Sequence, residues 1–378
     1  MTERDALIAM NRVTGLGAIT AKRMAERFGS LAAAFEASES DLRTVVGIGP
    51  DRAQQFWSDL QQARADDELA RAAKKGVKLV TWEDPGYPAL LKQIADPPLV
   101  LYVAGSVEAL DRPAVAIIGT RRPTVYGRDC ARRFGYQLAS SGYMVASGLA
   151  LGIDAEAHTG AVQAKGVSVA VLGGALDRLF PKENAGLARA MIECGGAVVS
   201  EYPFGRQPDR QTFPMRNRIV SGLSRGVLVV EAPFNSGTMI TVSQALDQNR
   251  SVMAVPGRID SPASQGCHKL LREGARLATC ADDVIEELQD LMAGMRQATK
   301  TRPAEPARSA QTERPPESVL TPEERAVLVQ LGVDGVSVDE VVRASGLDAG
   351  KVNALLVGLQ IKRHVRVLPG GRVARRSI

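Results

Sequence analysis

The alternation of short strands and helices between Gly76 and Gln289 constrains the fold most. The strand-like segments are nearly continuous runs of Val, Ile and Ala, separated by amphipathic stretches such as Arg128–Ser140 and Met239–Gln248. The six predicted strands are Ala114–Ile118, Tyr143–Ala146, Ser168–Leu172, Ala197–Ser200, Val227–Glu231 and Ser251–Val255. Such runs are typical of parallel strands buried on both faces. The pattern predicts an α/β, extended Rossmann-like, doubly wound and mostly parallel sheet, to which Val77–Trp82 and Leu99–Val103 could add strands.

The region before this domain has a different pattern. Residues 1–66 look entirely helical, and two segments there, Val13–Gly29 and Val45–Trp57, each place a Gly-x-Gly turn directly before a helix. Helix-hairpin-helix modules use such turns to bind a DNA phosphate at a helix N-terminus. The same apolar spacing would serve a short connection between packed helices, so both interpretations stay open. The Rossmann-like domain then covers residues 67–292.

The region after this domain divides into two parts. Residues 293–318 are rich in Pro, Ala and charge without an apolar period, which predicts a flexible linker. Residues 319–378 show three helical patterns and then two strand-like pieces around a Pro-Gly-Gly turn, the order of a winged helix. The three helical patterns are Pro322–Leu331, Val338–Ala344 and Lys351–Leu359.

The tail of the predicted winged helix is strongly basic and has no acid from Lys362 onward. Its cations are Lys362, Arg363, Arg366, Arg372, Arg375 and Arg376. Such a tail fits the backbone of duplex DNA, and on its own it would also suit a transcriptional regulator. Winged helices dock proteins as well, so the tail alone does not identify its partner.

Composition narrows the class of protein. The chain has 47 Lys and Arg against 42 Asp and Glu, a net charge of +5, so local clusters of cations must hold any anionic partner. The four cysteines are far apart and form no CxxC pair, which predicts neither a zinc site nor disulfides. The first residues lack a signal-peptide pattern, and no apolar run approaches the roughly 20 residues that span a bilayer. We therefore expect a cytoplasmic protein without a membrane partner.

Small and cationic residues come directly after the ends of several predicted strands. Gly119-Thr120-Arg121-Arg122 follows the first strand, Ser147-Gly148 the second, and Asn235–Thr241 the fifth. Lys182 follows the third strand at a longer distance, and Thr124 is a suitable N-cap for the next helix. Because the carboxyl ends of parallel strands share one edge of a sheet, these turns should meet there. Their backbone N–H groups and helix N-termini favour an anion.

The anion predicted at this edge does not look like a dinucleotide. The G-x-G-x-x-G fingerprint is missing, because Gly119 stands alone before Gly127. The second strand ends at Ser147 and Gly148, where a dinucleotide fold has an acid, so we expect no cofactor. The two adjacent arginines would hold phosphate with their side chains. Neighbouring residues point in different directions, so only one of the two should enter the site.

The segment Tyr202–Gly226, interpreted as a loop, adds positive charge to the same edge. It contains a single acid, Asp209, and five arginines: Arg206, Arg210, Arg216, Arg218 and Arg225. Repeated contacts to the phosphates of a polymer suit an extended cationic track of this kind. Phe204 and Phe213 would either stack on bases or pack in the core.

Candidates for catalysis are weak. The three histidines have neither the spacing of a Ser-His-Asp arrangement nor that of a metal site, and His158 is interpreted as a structural residue lining the pocket. Asp154, Glu201 and Glu231 lie near strand ends, where capping or pairing with the local arginines suits them better than hydrolysis. We therefore predict a protein that is not an enzyme, with no catalytic and no metal-binding residue.

Seven motifs occur in order along the central domain: AIIGTRRPTVYG, SGLALGIDAEAH, FPKEN, SEYPFG, FPMRNRIVSGLS, VVEAPFNSGTMIT and AVPG. Together they resemble the DNA-processing protein A family (DprA, also called Smf) over Pro98–Glu287, and the flanking regions look like those of its longer members. The resemblance implies an extended Rossmann-like fold that dimerises through its C-terminal half. It also implies a non-catalytic protein that binds single-stranded DNA.

The role that the resemblance implies is recombination mediation. Members protect incoming DNA during natural transformation and help load the RecA recombinase, overcoming single-strand-binding protein; general recombination is the alternative setting. The family's DNA pocket falls on Gly119, Thr120, Arg121, Lys182, Arg216, Asn217 and Arg218. The resemblance thus selects Arg121 over Arg122. The strand-end residues Ser147 and Gly148 complete the predicted DNA-binding site.

An enzyme of a related Rossmann class is the alternative. Nucleotide-monophosphate phosphoribohydrolases carry P-G-G-x-G-T-x-x-E at the corresponding turn. The segment NSGTMITVSQ keeps Gly237 and Thr238 but lacks the preceding glycine pair, and Ile240 and Thr241 stand where the acid is expected. The catalytic carboxylate of that class is therefore missing from the pattern.

Overall fold

The computed structural model describes residues 1–234, 236–289, 320–331, 336–349, 351–352, 355–356, 359, 364–368 and 372–375. The chain divides into two compact units, Met1–Lys300 and Thr301–Ile378. No helix within the described ranges is long and apolar enough to cross a membrane. The predicted linker, residues 293–318, lies outside these ranges.

The first unit begins with six helices. They are α1 Glu3–Met10, α2 Ala18–Phe28, α3 Leu31–Phe35, α4 Glu39–Leu42, α5 Pro50–Gln62 and α6 Ala65–Lys74. Capping boxes at Thr2 and Ser38 satisfy the first amides of α1 and α4. Leu7, Met24 and Leu42 are fully buried between these helices. The all-helical N-terminal region is therefore as predicted.

The two Gly-x-Gly turns belong to the packing of these helices. Gly17 and Gly49 are the N-caps of α2 and α5. Arg52 ties the two turns together, because its guanidinium donates to the carbonyls of Gly15, at 3.2 Å, and Gly47, at 3.4 Å. A Cβ added at Gly17 would lie 3.9 Å from a carboxylate oxygen of Asp96. These contacts support the interpretation of the turns as connections between packed helices.

The rest of the described first unit is built on a nine-stranded sheet. Its strands are β1 Lys78–Thr81, β2 Val100–Gly105, β3 Ala114–Ile118, β4 Met144–Ser147, β5 Ser168–Val171, β6 Ala197–Ser200, β7 Gly226–Val229, β8 Ser251–Ala254 and β9 Arg276–Leu277. Their order in the sheet is β1-β2-β6-β5-β4-β3-β7-β8-β9. The pairs β1–β2 and β2–β6 are antiparallel, and every other pair of neighbouring strands is parallel. The six strands predicted for the core are all present within two residues of their expected ends. The mostly parallel, doubly wound sheet is confirmed.

Helices cover both faces of this sheet. They are α7 Ala89–Lys92, α8 Val125–Ser140, α9 Ile153–Gln163, α10 Ala185–Glu193, α11 Thr212–Gly222, α12 Thr238–Asp247, α13 Gln265–Arg272 and a helix α14 over residues 281–289. Successive residues of β3 alternate between two hydrophobic clusters: Ala116 and Ile118 in one, Val115 and Ile117 in the other. The strand is therefore buried on both sides, as its unbroken apolar sequence indicated.

The interpretation of Tyr202–Gly226 as a loop is wrong, because helix α11 occupies Thr212–Gly222. The arginines of this segment interrupt the spacing of apolar residues by which a helix is recognised in a sequence. Ile219 and Val220 are buried among the core residues, and Arg216 is buried with them at 4% exposure. A buried arginine at a core-facing position breaks the apolar period on which the sequence argument relied.

The second unit contains two described helices and a three-stranded sheet. The helices are α15 Pro322–Val329 and α16 Val338–Ser345, and the strands are β10 Val336–Ser337, β11 Val365–Leu368 and β12 Arg372–Arg375 in the order β10-β12-β11. Residues 349, 351–352, 355–356 and 359 are also helical. This is the predicted winged helix. Of the basic tail, Arg366 lies in β11 and Arg372 and Arg375 in β12, whereas Lys362, Arg363 and Arg376 fall outside the described residues.

Candidate nucleic-acid interface

A crevice opens where the order of the parallel strands reverses. From β3 the chain proceeds to β4, β5 and β6 on one side and then returns to place β7 on the other side of β3. The connections that leave β3 and β7 therefore diverge, and ligands bind at such a switch point in doubly wound sheets. A cavity of about 740 Å³ lies there. It is lined by six of the predicted residues: Gly119, Thr120, Arg121, Gly148, Arg216 and Asn217.

The turn after β3 is held rigidly by backbone contacts. The amide of Thr120 donates to the carbonyl of Glu231 at 2.7 Å, and the carbonyl of Thr120 accepts from the amide of Ile153 at 3.2 Å. A Cβ at Gly119 would collide with Ile153 and with the Glu231 carbonyl. Glycine is required here because the turn passes so close to the start of α9 and to the residues that follow β7.

Both arginines of this turn are among the residues that line the cavity, so the lining does not choose between them. The amide of Arg122 donates to the Thr120 hydroxyl at 3.2 Å, which marks a tight turn. Arg121 is distinguished from Arg122 by its position 5.2 Å from the ring centre of Phe213, a cation–π contact.

Arg216 forms the buried cation beneath the cavity. It is 4% exposed, and its Nη1 donates to the carbonyls of Gly148, at 2.6 Å, and Val171. Its Nε has no partner in the described structure. Burial, helped by the charge of Arg121, lowers the pKa of Arg216 to about 10, so the guanidinium stays charged at neutral pH. A Cβ at Gly148 would collide with this guanidinium, which explains the glycine after β4.

Asp154 is the single acid among the described residues that line the cavity. Its carboxylate accepts from the amides of Gly148, at 3.1 Å, and Ala150, at 3.3 Å. Burial raises the pKa of Asp154, while the charge of Arg216 opposes that rise. The side chain is therefore engaged in holding the turn after β4.

His158 is a buried structural residue, as interpreted from the sequence, but it is not among the described residues that line the cavity. Its Nδ1 lies 2.7 Å from the hydroxyl of Ser168, and the side chain is fully buried. Burial, with a smaller effect of Arg216, lowers the pKa of His158 to about 3. The imidazole is consequently neutral at physiological pH.

Glu201 and Glu231 also cap or pair, as expected. Glu201 makes a two-pronged ion pair with Arg218, with both N–O distances 2.7 Å. Glu231 accepts from the amide of Thr124, at 2.9 Å, and from its hydroxyl, at 2.6 Å. Thr124 in turn caps α8 through a bond from the amide of Gly127.

Three predicted site residues are not among the described residues that line the cavity: Ser147, Lys182 and Arg218. Ser147 is fully buried and donates to the carbonyl of Ile117 at 2.6 Å. Lys182 is exposed at the start of the short helix Lys182–Asn184. Its neighbour Phe180 lies 6.1 Å, centre to centre, from Phe213 on the cavity wall. The lysine therefore lies two residues after a side chain that packs against the cavity wall.

Arg218 is bound by acids of the same chain. In addition to Glu201, its Nε donates to the carbonyl of Asp96 at 3.0 Å and to its carboxylate at 3.2 Å. Burial alone would lower the pKa of Arg218, but the pairing with Glu201 raises it above its ordinary value. Its side chain is only 11% exposed. Its charge is thus already neutralised inside the protein.

The structure adds lining residues that the predicted site did not contain. Arg122 and Arg210 both line the cavity. The excess of arginines between residues 202 and 226 was the signal for Arg210, but it did not show which of the five would face the crevice. The two phenylalanines are also separated, since Phe213 lines the cavity whereas Phe204 is buried edge-on against Tyr102.

Comparison with known families and proteins agrees with this architecture. Residues 78–289 match the family described as DNA recombination-mediator protein A, residues 310–371 the DprA winged helix domain, and residues 7–62 a SAM-like helix-hairpin-helix tandem. Protein Smf of Synechocystis is 34% identical over 99% of both chains. DNA processing protein DprA of Bacillus subtilis is 38% identical over 63% of this chain and 78% of its own.

A solved structure supports the fold independently. The X-ray structure of DNA processing protein A from Streptococcus pneumoniae superposes with a TM-score of 0.65 and 33% identity, over 76% of this chain and 98% of that one. The sequence matches extend through the helical region, the sheet and the winged helix. The chain therefore belongs to the DNA recombination-mediator protein A (DprA/Smf) family.

Proposed function

We propose that the crevice at the strand switch point binds the backbone of single-stranded DNA. The observation that carries the proposal is the charge of the lining: four arginines, Arg121, Arg122, Arg210 and Arg216, against the single acid Asp154. Arginine forks match phosphate geometry, and Arg216 is held charged in a buried position. Phe213 lines the same cavity and packs against the guanidinium of Arg121, which it helps to position.

Two features favour a polymer over a small phosphate ligand. The cations continue beyond the cavity to the exposed Lys182, whose loop meets the cavity wall through the contact of Phe180 with Phe213. Arg210 lies at the start of the segment leading into α11 and also faces the cavity. A row of cations of this kind suits successive phosphates of a strand. Gly119, Thr120, Arg121, Gly148, Arg216 and Asn217 supply the central part of the proposed site, and Lys182 extends it.

We propose that no chemistry takes place in the crevice and that binding needs no metal or cofactor. The place of the phosphoribohydrolase carboxylate is taken by Ile240 and Thr241 on α12, both of which line the cavity. The remaining acid, Asp154, is engaged by two backbone amides. These placements favour a binding protein over that class of enzyme.

The biological role follows the family. As a DNA-processing recombination mediator, the chain would protect incoming single strands, help load the RecA recombinase against single-strand-binding protein, and act in natural transformation or general recombination in the cytoplasm. We propose a homodimer formed through the C-terminal half of the sheet, where the short edge strand β9 carries an exposed Leu277. The winged helix is proposed to contact duplex DNA.

A titration of a labelled single-stranded oligonucleotide at several salt concentrations tests the proposal. We expect affinity to fall steeply with salt, because bound counterions are released from the strand. Lys182→Ala should weaken binding, while Arg189→Ala, an exposed cation on α10, serves as its control. Incubation with AMP should release no adenine. Salt-independent binding, or adenine release without oligonucleotide binding, would contradict the proposal.

A further inference from the structure

The N-terminus of α8 is the position at which a Rossmann-like sheet ordinarily binds the phosphate of a free nucleotide. In this chain the helix follows β3 directly at the switch point, so its position is the ordinary one. A carboxylate of the same chain occupies it. The two oxygens of Glu231 accept from the amide and the hydroxyl of Thr124, at 2.9 and 2.6 Å.

The fit of Glu231 to the helix end is close. Glu231 is 2% exposed, and a Cβ at Gly127, in the first turn of α8, would collide with its carboxylate. The backbone carbonyl of the same residue accepts the amide of Thr120. One residue of the β7 end thus satisfies donors both in the turn after β3 and at the start of α8. Of these, the two donors of Thr124 are bound by the carboxylate and would be open to a phosphate without it, whereas the Thr120 amide is bound by the backbone carbonyl.

Room for a ligand exists beside this helix end. A second cavity, of about 530 Å³, is lined by Thr124, Val125, Tyr126 and Glu231 from one side and by residues 256–258 and Ser261 and Ser264 from the other. It is separate from the arginine-lined cavity, to which Glu231 does not contribute. The second cavity also contains an arginine, Arg258, which is paired with Asp260 at 2.9 Å, so Glu231 is the one other charged side chain among the described residues of its lining.

We propose that the Glu231 carboxylate is a built-in substitute for a ligand phosphate, a specificity-determining residue that excludes free nucleotides and diphosphates from the α8 N-terminus. Phosphate is then accepted only on the arginine-lined side of the crevice, where a strand can continue beyond the cavity. The exclusion rests on the contacts of Glu231 alone, and the preference for a strand rests on the proposed function.

Binding of two diphosphate probes, inorganic pyrophosphate and ADP, to the full chain measures the exclusion by calorimetry. The wild type should bind both probes weakly, at the arginine-lined cavity and not at the helix end. Glu231→Ala removes both the charge and the bulk, and should gain a second binding site with about tenfold higher affinity than that of the wild type. Glu231→Gln keeps the bulk and loses the charge, and should show a smaller gain. Glu156→Ala is the control, because it removes a carboxylate that pairs with Arg132 outside both cavities.

A labelled oligonucleotide, titrated in parallel, separates this inference from the proposed function. Both Glu231 variants should still bind it, since neither loses a side chain of the arginine-lined cavity. Oligonucleotide binding without any gain of diphosphate binding in a folded Glu231 variant overturns the exclusion and leaves the proposed function intact. A gain of diphosphate binding in a protein that binds no oligonucleotide overturns the proposed function instead. If Glu231→Ala does not fold, Glu231→Gln decides the exclusion by itself.

Discussion

The two faces of helix α11 show how one short motif serves two purposes. Arg216 and Arg218 are separated by one residue, and both are largely buried. Arg216 lines the crevice, and its hydrogen bonds go to backbone carbonyls. Arg218 points to the other side of the helix, where Glu201 and Asp96 neutralise it. The difference teaches that two arginines of one helix can differ in whether a carboxylate of their own chain neutralises them, and in the proposed site only Arg216 is left to bind a phosphate.

Among substitutions that compare the two faces of α11, Arg218→Ala should have the largest effect, and the effect should be on stability. Removal of the guanidinium leaves Glu201 and Asp96 without their cation, and loss of one partner of a buried ion pair costs about 3–5 kcal/mol. We expect the free energy of unfolding in urea to fall by that amount. Glu201→Gln, which removes the other partner, is the matched variant. If Arg218 instead contacts a phosphate, the loss will appear in DNA affinity, with a salt slope reduced by roughly 0.7, and not in stability.

The second largest effect should be on DNA affinity and should come from Arg216, on the crevice face of α11. Arg216→Gln should weaken binding of a single-stranded oligonucleotide by about 2–3 kcal/mol, because it deletes the buried charge of the proposed site. Arg216→Lys keeps a charge but not the fork and should recover only part of the affinity. Fluorescence anisotropy measures both. Unchanged affinity in the glutamine variant would mean that the crevice face of α11 does not meet the strand.

A smaller loss is expected from the exposed cation of the same cavity. Arg121→Ala should weaken oligonucleotide binding by about 1–2 kcal/mol and leave the free energy of unfolding nearly unchanged, since a solvated side chain gives up less on removal. The slope of log affinity against log salt should fall by roughly 0.7. Arg128→Ala, on the exposed side of α8, is the control, and an equal loss there would indicate a non-specific charge effect.

The smallest effect near neutral pH is a change in the pH dependence of stability. The folded pKa of His158, about 3, lies below its ordinary value of 6.5, so between these values the unfolded chain binds a proton that the folded chain does not. Its contribution is therefore present above about pH 6.5 and is lost as pH falls. The raised pKa of Asp154 acts in the opposite direction. His158→Gln should flatten the acid-side decline in urea unfolding, and an unchanged decline would contradict the assignment.

The order of elements could be predicted from the sequence because it depends on local patterns. Unbroken apolar runs mark strands covered on both faces, and β3 is buried at every position. Turn residues at the strand ends placed Gly119, Thr120 and Arg121 at the switch point. Helix α11 was misjudged because its buried arginine interrupts the apolar period, and the two-residue edge strand β9 was not predicted.

The sequence by itself determined the doubly wound sheet, its helical and winged-helix flanks and the edge at which cations gather, since each depends on residues near one another in the chain. Only the tertiary structure decided which of these cations form ion pairs with carboxylates of the same chain and which do not. Asp96 meets Arg218 from 122 positions away, and Glu231 reaches Thr124 across 107. Contacts at such separations depend on how the elements pack, and burial then strengthens the pairing of charges that local sequence leaves unassigned.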